Sequence, residues 1–383
     1  ALAFLAALRA AATHRYVVDR REFAGGTLPR AYAEVSVKEG GVWDGKKYVG
    51  GKFMTVRGVR NVTMPPQSSD HNEFLRYEGP GIESDHVGYR VYLDWRNGFD
   101  IFGKKTSAMV LPGVGLDGYE SYHAMADWGA DILKVGESLG MGGFGWWDGK
   151  KAVLVSDVAE RSVTIRSDGP IHASFELGYK GWKTGATTVD LGTTLSMQAG
   201  SPLVDVKLVT SDPLENLAIG LVSHPDAEVM TGDLDVTGEA WSYLATFGKQ
   251  TLFEGDQLGM VLLFRKMDLV QQTKDETSQV LVMRPRGKEL SYAFGALWSG
   301  QKGGVQTREE LQAFLAAEVE RRTLLPRIRL KTEASRRARE LSPIEISTRL
   351  AESEMARRGE SLSFGGWGTV ARRPSRWCYP TRL

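Results

Sequence analysis

The chain has 383 residues, with 48 basic against 47 acidic side chains, 42% apolar residues, 44 glycines and one cysteine. That supplies one large core or two modest ones, and no run of apolar residues is long enough for a membrane-spanning helix. The lone Cys378 excludes an internal disulfide and a cysteine-rich zinc site.

The near-neutral total conceals two unlike parts. Residues 1–320 carry 33 basic and 41 acidic groups, whereas residues 321–383 carry 15 and 6. The tail holds the doublets Arg321-Arg322, Arg336-Arg337, Arg357-Arg358 and Arg372-Arg373 and few large apolar side chains. It therefore reads as a separate basic segment from about residue 326. Its doublets are dispersed and lack interleaved aromatics, which points to a solvated helix face or a linker rather than a nucleic-acid grip.

At the other end, the opening ALAFLAALRAAA has the composition of a secretory leader core and equally fits a short amphipathic helix. Read as a leader, it sends the protein to the periplasm or outside the cell. Residues 1–30 are set apart for this reason, and 31–325 form the body. Within the body, short segments rich in Val, Thr, Tyr and Phe recur at 31–37, 73–77, 88–95, 151–155, 161–166, 172–179, 187–197, 204–210, 218–222, 258–264, 279–284 and 290–296. Gly, Asp, Asn or Pro separates most of them, as strands require. Leu203 to Val209 alternates apolar with polar residues and suits a sheet with one buried face. Helical spacing is confined to 119–139, 308–321 and 344–358. Thr307 and Glu310 make a capping box for the second of these. The expected fold is mainly β, a large antiparallel sandwich of supersandwich type with a few short helices. No fixed-period repeat suggests a propeller or solenoid.

Residues 65–148 concentrate the reactive side chains. Strand alternation over 88–95 puts Arg90, Tyr92 and Asp94 on one face and Tyr89, Val91, Leu93 and Trp95 on the other. A face of Arg and Tyr suits either a sugar-binding groove or an ordinary solvated surface. On the expected helix 119–139, His123, Asp127 and Asp131 fall at i, i+4 and i+8, an arrangement that orients an imidazole, binds a metal or faces water. The run Gly140-Met141-Gly142-Gly143-Phe144-Gly145 lacks the Lys-Ser/Thr of a phosphate loop and reads as a tight loop carrying Phe144, Trp146 and Trp147. Those rings either stack on a sugar or fill a core. The serine-hydrolase motif Gly-x-Ser-x-Gly is absent. No motif suggests a redox cofactor, nucleic acid or membrane as partner.

The string from His71 through Glu83-Ser84-Asp85-His86 and Arg90 to Asp94, followed by Ile101-Phe102-Gly103-Lys104-Lys105 and Asp127-Trp128-Gly129-Ala130-Asp131, resembles domain-of-unknown-function family 4861 over about residues 30–325. The resemblance implies a bacterial carbohydrate-active protein that dehydrates the uronate at the non-reducing end of a polysaccharide-derived oligosaccharide, on an ulvan-like substrate. In the tail, residues 347–358 and Trp377-Cys378-Tyr379 resemble the opening of glycoside hydrolase family 105, whose members consume unsaturated uronyl ends. Only the start of such a domain would be present.

A dehydration of this kind needs a cation to neutralise the sugar carboxylate, a base for the C5 proton and an acid for the C4 oxygen. On the resemblance, Arg90 is the candidate cation, His123 the base with His71 as rival, and Tyr92 or Tyr122 the acid. Trp146, Trp147, Tyr89 and Arg96 are candidate sugar contacts. Glu73, Glu83 and Asp85 are candidates to orient a histidine or to hold a divalent metal such as calcium. The competing readings are a polysaccharide lyase, which expels a sugar rather than water, and a non-catalytic sugar-binding sandwich.

Overall fold

A computed structural model describes residues 30–53, 60–233 and 240–323. The opening segment, the helix expected over 344–358 and the hydrolase-like tail lie outside these residues. The described part is mainly β, as expected, and its main strand pairings are antiparallel. Nine strands form one sheet, and two five-stranded sheets share its core. Among the described residues no helix is long and apolar enough to cross a membrane.

Binary patterning explains the large sheet. In Leu203–Thr210 the side chains of Val204, Val206 and Leu208 are buried while Asp205, Lys207 and Val209 are exposed, the alternation of a strand with one wet face. In the same sheet, Leu258–Arg265 is apolar as far as Phe264 because both of its faces are covered. Met260, Leu262 and Phe264 enter the main core, whereas Val261 and Leu263 pack with Leu311, Leu315 and Val319 of the helix Arg308–Thr323. That helix begins as its sequence dictates: the Glu310 N–H donates to Thr307 Oγ1 at 3.2 Å, and Glu310 Oε2 accepts the Thr307 N–H at 3.3 Å.

Two expectations fail for reasons that lie in glycine. Residues 119–139 are not one helix but a 3₁₀ turn, Tyr119–Tyr122, and a strand, Gly129–Asp131. Gly129 has φ +129°, and a Cβ there would meet the Gly103 carbonyl oxygen at 1.8 Å, so this glycine lets two chains approach and stops any helix. Residues 140–145 belong to no loop; Met141–Trp147 is a central strand between Ala152–Leu154 and Leu217–Val222. Its Gly142 sits against the Phe294 ring, where a Cβ would come within 2.4 Å. The segment 73–77 is likewise no strand, but leads into the 3₁₀ turn Arg76–Glu78.

The sheet that carries Arg90 runs Ala31–Glu34, Gly81–Ser84, Val87–Val91, Phe99–Lys104, Gly129–Asp131. The residues of its three central strands are buried on both faces, so charged side chains there are paired. Lys104 Nζ donates to Glu83 Oε2 and to the Ser84 carbonyl, both at 2.6 Å, and Glu83 also accepts the N–H groups of Val110 at 3.0 Å and Leu111 at 2.8 Å. Lys104→Met leaves the Glu83 carboxylate without its counter-ion and is expected to cost about 3–5 kcal/mol. Denaturant unfolding measures this, and a change within experimental error would show the pair to be dispensable.

Candidate functional site

Arg90 sits in the middle strand of the small sheet with 2% of its surface exposed, directly opposite Asp100 of the next strand. Its Nε and Nη2 donate to Asp100 Oδ2 at 3.0 and 2.7 Å, and Nη2 also reaches Asp131 Oδ2 at 2.5 Å. Nη2 donates to the Tyr92 hydroxyl at 3.0 Å and Nη1 to the Tyr122 hydroxyl at 3.1 Å. The guanidinium carbon lies 4.9, 5.3 and 5.1 Å from the ring centres of Tyr92, Phe102 and Tyr122, a cation held among π-faces.

One cation thus faces two buried carboxylates. Burial first, and then the charge of Asp100, push the Asp131 carboxyl up to about 8 despite the pull of Arg90, so near neutrality it holds a proton readily. Asp131 Oδ1 has no hydrogen-bond partner. The two phenols differ in what they can still give. The Tyr92 O–H donates to Asp100 Oδ2 at 2.5 Å, whereas the Tyr122 oxygen accepts from Arg90 and its own hydrogen meets no acceptor among the described residues.

His123 leans on this network. Its Nε2 is 3.5 Å from Asp131 Oδ2, and its ring lies 4.6 Å from Tyr122 and 4.8 Å from Tyr119. Tyr119 in turn lies 5.6 Å from the His71 ring. Burial and the nearby Arg90 lower the His123 pKa below the ordinary imidazole value, which keeps the ring neutral near pH 7. Its Nδ1 is buried without a hydrogen-bond partner.

Above these rings opens a groove of about 1230 Å³. Tyr119 and Tyr122 form part of one wall, and His71, Glu73 and Glu78 come from the turn that precedes the sheet. Lys38, Lys47 and Lys52 come from the hairpin Lys38–Asp44 and Lys47–Phe53. Four non-glycine residues of that turn, His71, Glu73, Tyr77 and Glu78, have φ between 42° and 69°, each at a cost of roughly 1–3 kcal/mol. Glu78 is 5% exposed. Its Oε1 accepts Arg96 Nη2 at 2.6 Å and the His71 backbone N–H at 3.0 Å, while Oε2 has no partner. Although burial favours the neutral acid, Arg90 and Arg96 hold the Glu78 carboxyl below its ordinary value, and it stays ionised.

The structure therefore brings Arg90, His123, Tyr122, Tyr92 and His71 into one continuous cluster, and Arg96 joins it through Glu78 and by stacking 4.1 Å from the Tyr92 ring. It places others elsewhere. Arg90 offers no open fork to a substrate carboxylate, because each of its three nitrogens already serves a protein group. Tyr89 is a core residue whose hydroxyl donates to the Pro202 carbonyl and accepts the Ala296 N–H, both at 2.7 Å. Trp147 packs with Leu139, Ala218, Val280 and Val282, Trp146 packs on the main core, and neither lines the groove. Glu83 is committed to Lys104, Asp85 to Arg30 and the Gly200 N–H, and Glu73 to Lys38. These three carboxylates do not converge, and among the described residues no group of three or more His, Cys, Asp or Glu side chains is placed to hold a metal ion. Asp127 is exposed, and Asp131 meets His123 through the sheet rather than through a helical stripe. Asp100 and Tyr119 were not anticipated, and Glu78 stands out in the sequence only as one of the many polar side chains of residues 65–148, without a role. A buried acid that is itself at positive φ, in a turn with three further positive-φ residues, has no signature in a sequence.

A family model described as "Domain of unknown function (DUF4861)" matches residues 1–325, and the chain belongs to that family. No curated protein matches it. Among solved structures, a putative kojibiose phosphorylase from the human microbiome matches with a TM-score of 0.34 and 10% identity. That match covers 62% of this chain and spans about a third of the phosphorylase, 32% of its length.

The raised Asp131 pKa has a thermodynamic consequence. Between about 4 and about 8 the folded carboxyl is protonated and the unfolded one is not, so folding stability is full at the acid end and declines as pH rises through this window. Asp131→Asn removes that contribution. The wild-type protein should lose up to about 1.4 kcal/mol per pH unit relative to the variant in unfolding curves across the window. Parallel pH profiles would contradict the assignment.

Proposed function

We propose that this DUF4861 protein is a carbohydrate-active carbon–oxygen lyase that eliminates water from a non-reducing-end glucuronate, leaving a 4,5-unsaturated uronyl end. The observation that carries the reading is the pairing of a neutral imidazole and a phenol with an uncommitted hydrogen, 4.6 Å apart ring to ring, the phenol lining a groove of about 1230 Å³ and the imidazole behind it. β-Elimination needs such a base and such an acid together.

In this reading His123 directs Nε2–H toward Asp131 and keeps the Nδ1 lone pair for the C5 proton; because Nδ1 is buried behind the groove wall, the turn that carries it must shift for the sugar to reach it. The C5–H electrons form the C4–C5 double bond, the C4–O bond breaks, and the Tyr122 O–H protonates the departing oxygen, which leaves as water. Arg90 then steadies the phenolate that Tyr122 becomes, since Nη1 already points at that oxygen. The substrate carboxylate is met by the hairpin lysines Lys47 and Lys52 rather than by Arg90. The half-buried ring of Tyr119 supplies the stacking surface, a role that Trp146 and Trp147 cannot take from outside the groove.

Incubation with glucuronate-ended oligosaccharides should give a product lighter by one water and of unchanged length, with a rise in ultraviolet absorbance from the new double bond. His123→Ala and Tyr122→Phe should each lower the rate by roughly 10²–10⁴-fold, and Tyr92→Phe by much less. Because the working His123 is the neutral form and its pKa lies below the usual 6.5, activity should rise through the acid range and be level by pH 7. Shortened products would instead indicate a polysaccharide lyase, and binding without a new product would indicate a sugar-binding module.

A further inference from the structure

We propose that Glu78 is the hydroxyl acceptor of the groove, its free Oε2 taking a hydrogen bond from a ring hydroxyl of the bound sugar. The inference deepens the carbohydrate reading above and rests on it. Three independent features single out this side chain. It is more than nine-tenths buried yet lines the groove. Its two oxygens are treated unequally: Oε1 is pinned by Arg96 and by the His71 N–H, and Oε2 is left without any donor. Its backbone is held at φ +69° within a turn that contains three further strained residues, all four lining the groove.

A buried acceptor without a donor is costly and calls for a partner, whether a water, an ion or a ligand hydroxyl; among the described unpartnered atoms, Glu78 Oε2 belongs to a residue that lines the groove. The donors nearest in chemical character are ruled out by their own commitments. Arg96 already serves Asp94 and the other oxygen of Glu78, and Lys38 serves Glu73. A neutral hydroxyl is the group that completes the site without bringing in another buried charge. Carboxylates commonly hold sugars in this way, since an ionised acceptor makes a hydrogen bond stronger than a neutral one. With Oε1 fixed from below, the carboxylate cannot turn away, so the position of the accepted hydroxyl is set by the fold. Such a site discriminates against a sugar lacking that hydroxyl.

Glu78→Gln is the direct test, because its amide oxygen still accepts from Arg96 and the His71 N–H while an amide NH₂ replaces the acceptor at the groove. Titration calorimetry with a hyaluronan tetrasaccharide ending in glucuronate should show affinity weakened roughly 10- to 100-fold. Should the variant not fold, the unaltered protein is treated with a water-soluble carbodiimide and an amine, and peptide mass spectrometry reads whether the tetrasaccharide protects Glu78 from amidation. Equal affinity in the variant, or equal labelling with and without sugar, would overturn the Glu78 assignment while leaving the sugar reading in place. If the unaltered protein does not bind the tetrasaccharide at all, the carbohydrate reading falls, and Glu78 as a sugar acceptor falls with it.

Discussion

A guanidinium buried inside a β-sheet organises everything around it. Arg90 cannot shed its proton and cannot reach water, so the fold must surround it with acceptors. Asp100 comes from the neighbouring strand, Asp131 from the edge strand, and Tyr92 and Tyr122 from the chain on either side. Each of these groups is fixed by its bond to Arg90, and each passes that fixity on. Asp131 sets the distance to His123, and Tyr122 presents its ring to the groove and to the imidazole. The candidate site is therefore the outer layer of a charge network whose inner layer is sheet.

The wall opposite these rings is built by different means. The turn from His71 to Glu78 contains four residues in a backbone region that side chains disfavour. It is held there by the Leu75–Val37 bridge, by Arg76 bonded to Glu34 and by Arg76 Nη1 on the Pro112 carbonyl at 2.9 Å. The hairpin beyond it is anchored by edge and tilted contacts among Trp43, Tyr48 and Phe74, with ring centres 5.2–5.5 Å apart. Ring packing on one side and a strained turn on the other leave a groove in which Glu78 and Tyr122 are held by protein partners without any ligand, an arrangement that favours binding.

The sequence made most of the architecture legible, because strand alternation and turn residues are local signals. Leu203–Thr210 and Leu258–Arg265 lie where their patterns put them, and the Thr307–Glu310 box opens the helix it was expected to open. Misreadings came where glycine was judged by neighbours in sequence rather than in space. Gly129 and the glycines of Met141–Trp147 permit close strand approach, and no periodicity reveals which backbone will press against them. For the candidate site, the family likeness drew attention to the stretch that holds the Arg90 network, and to Arg90, His123 and Tyr122, which the structure places together. Alternation could tell that Arg90 and Tyr92 share a face, but not that the face is buried. The positions of Asp100 and Glu78 arise from pairing across strands and from a positive-φ turn, both invisible to a one-dimensional reading.

The central claim is that the groove beside the Arg90 network receives the acidic end of a sugar chain. A crystal structure of the His123→Ala protein soaked with a glucuronate-ended tetrasaccharide tests it most directly. The account predicts the terminal ring against Tyr119 and Tyr122, with C5 turned toward the space vacated by the imidazole and the carboxylate toward Lys47 and Lys52. A sugar seated against Trp146 and Trp147, or anywhere away from this groove, would contradict it.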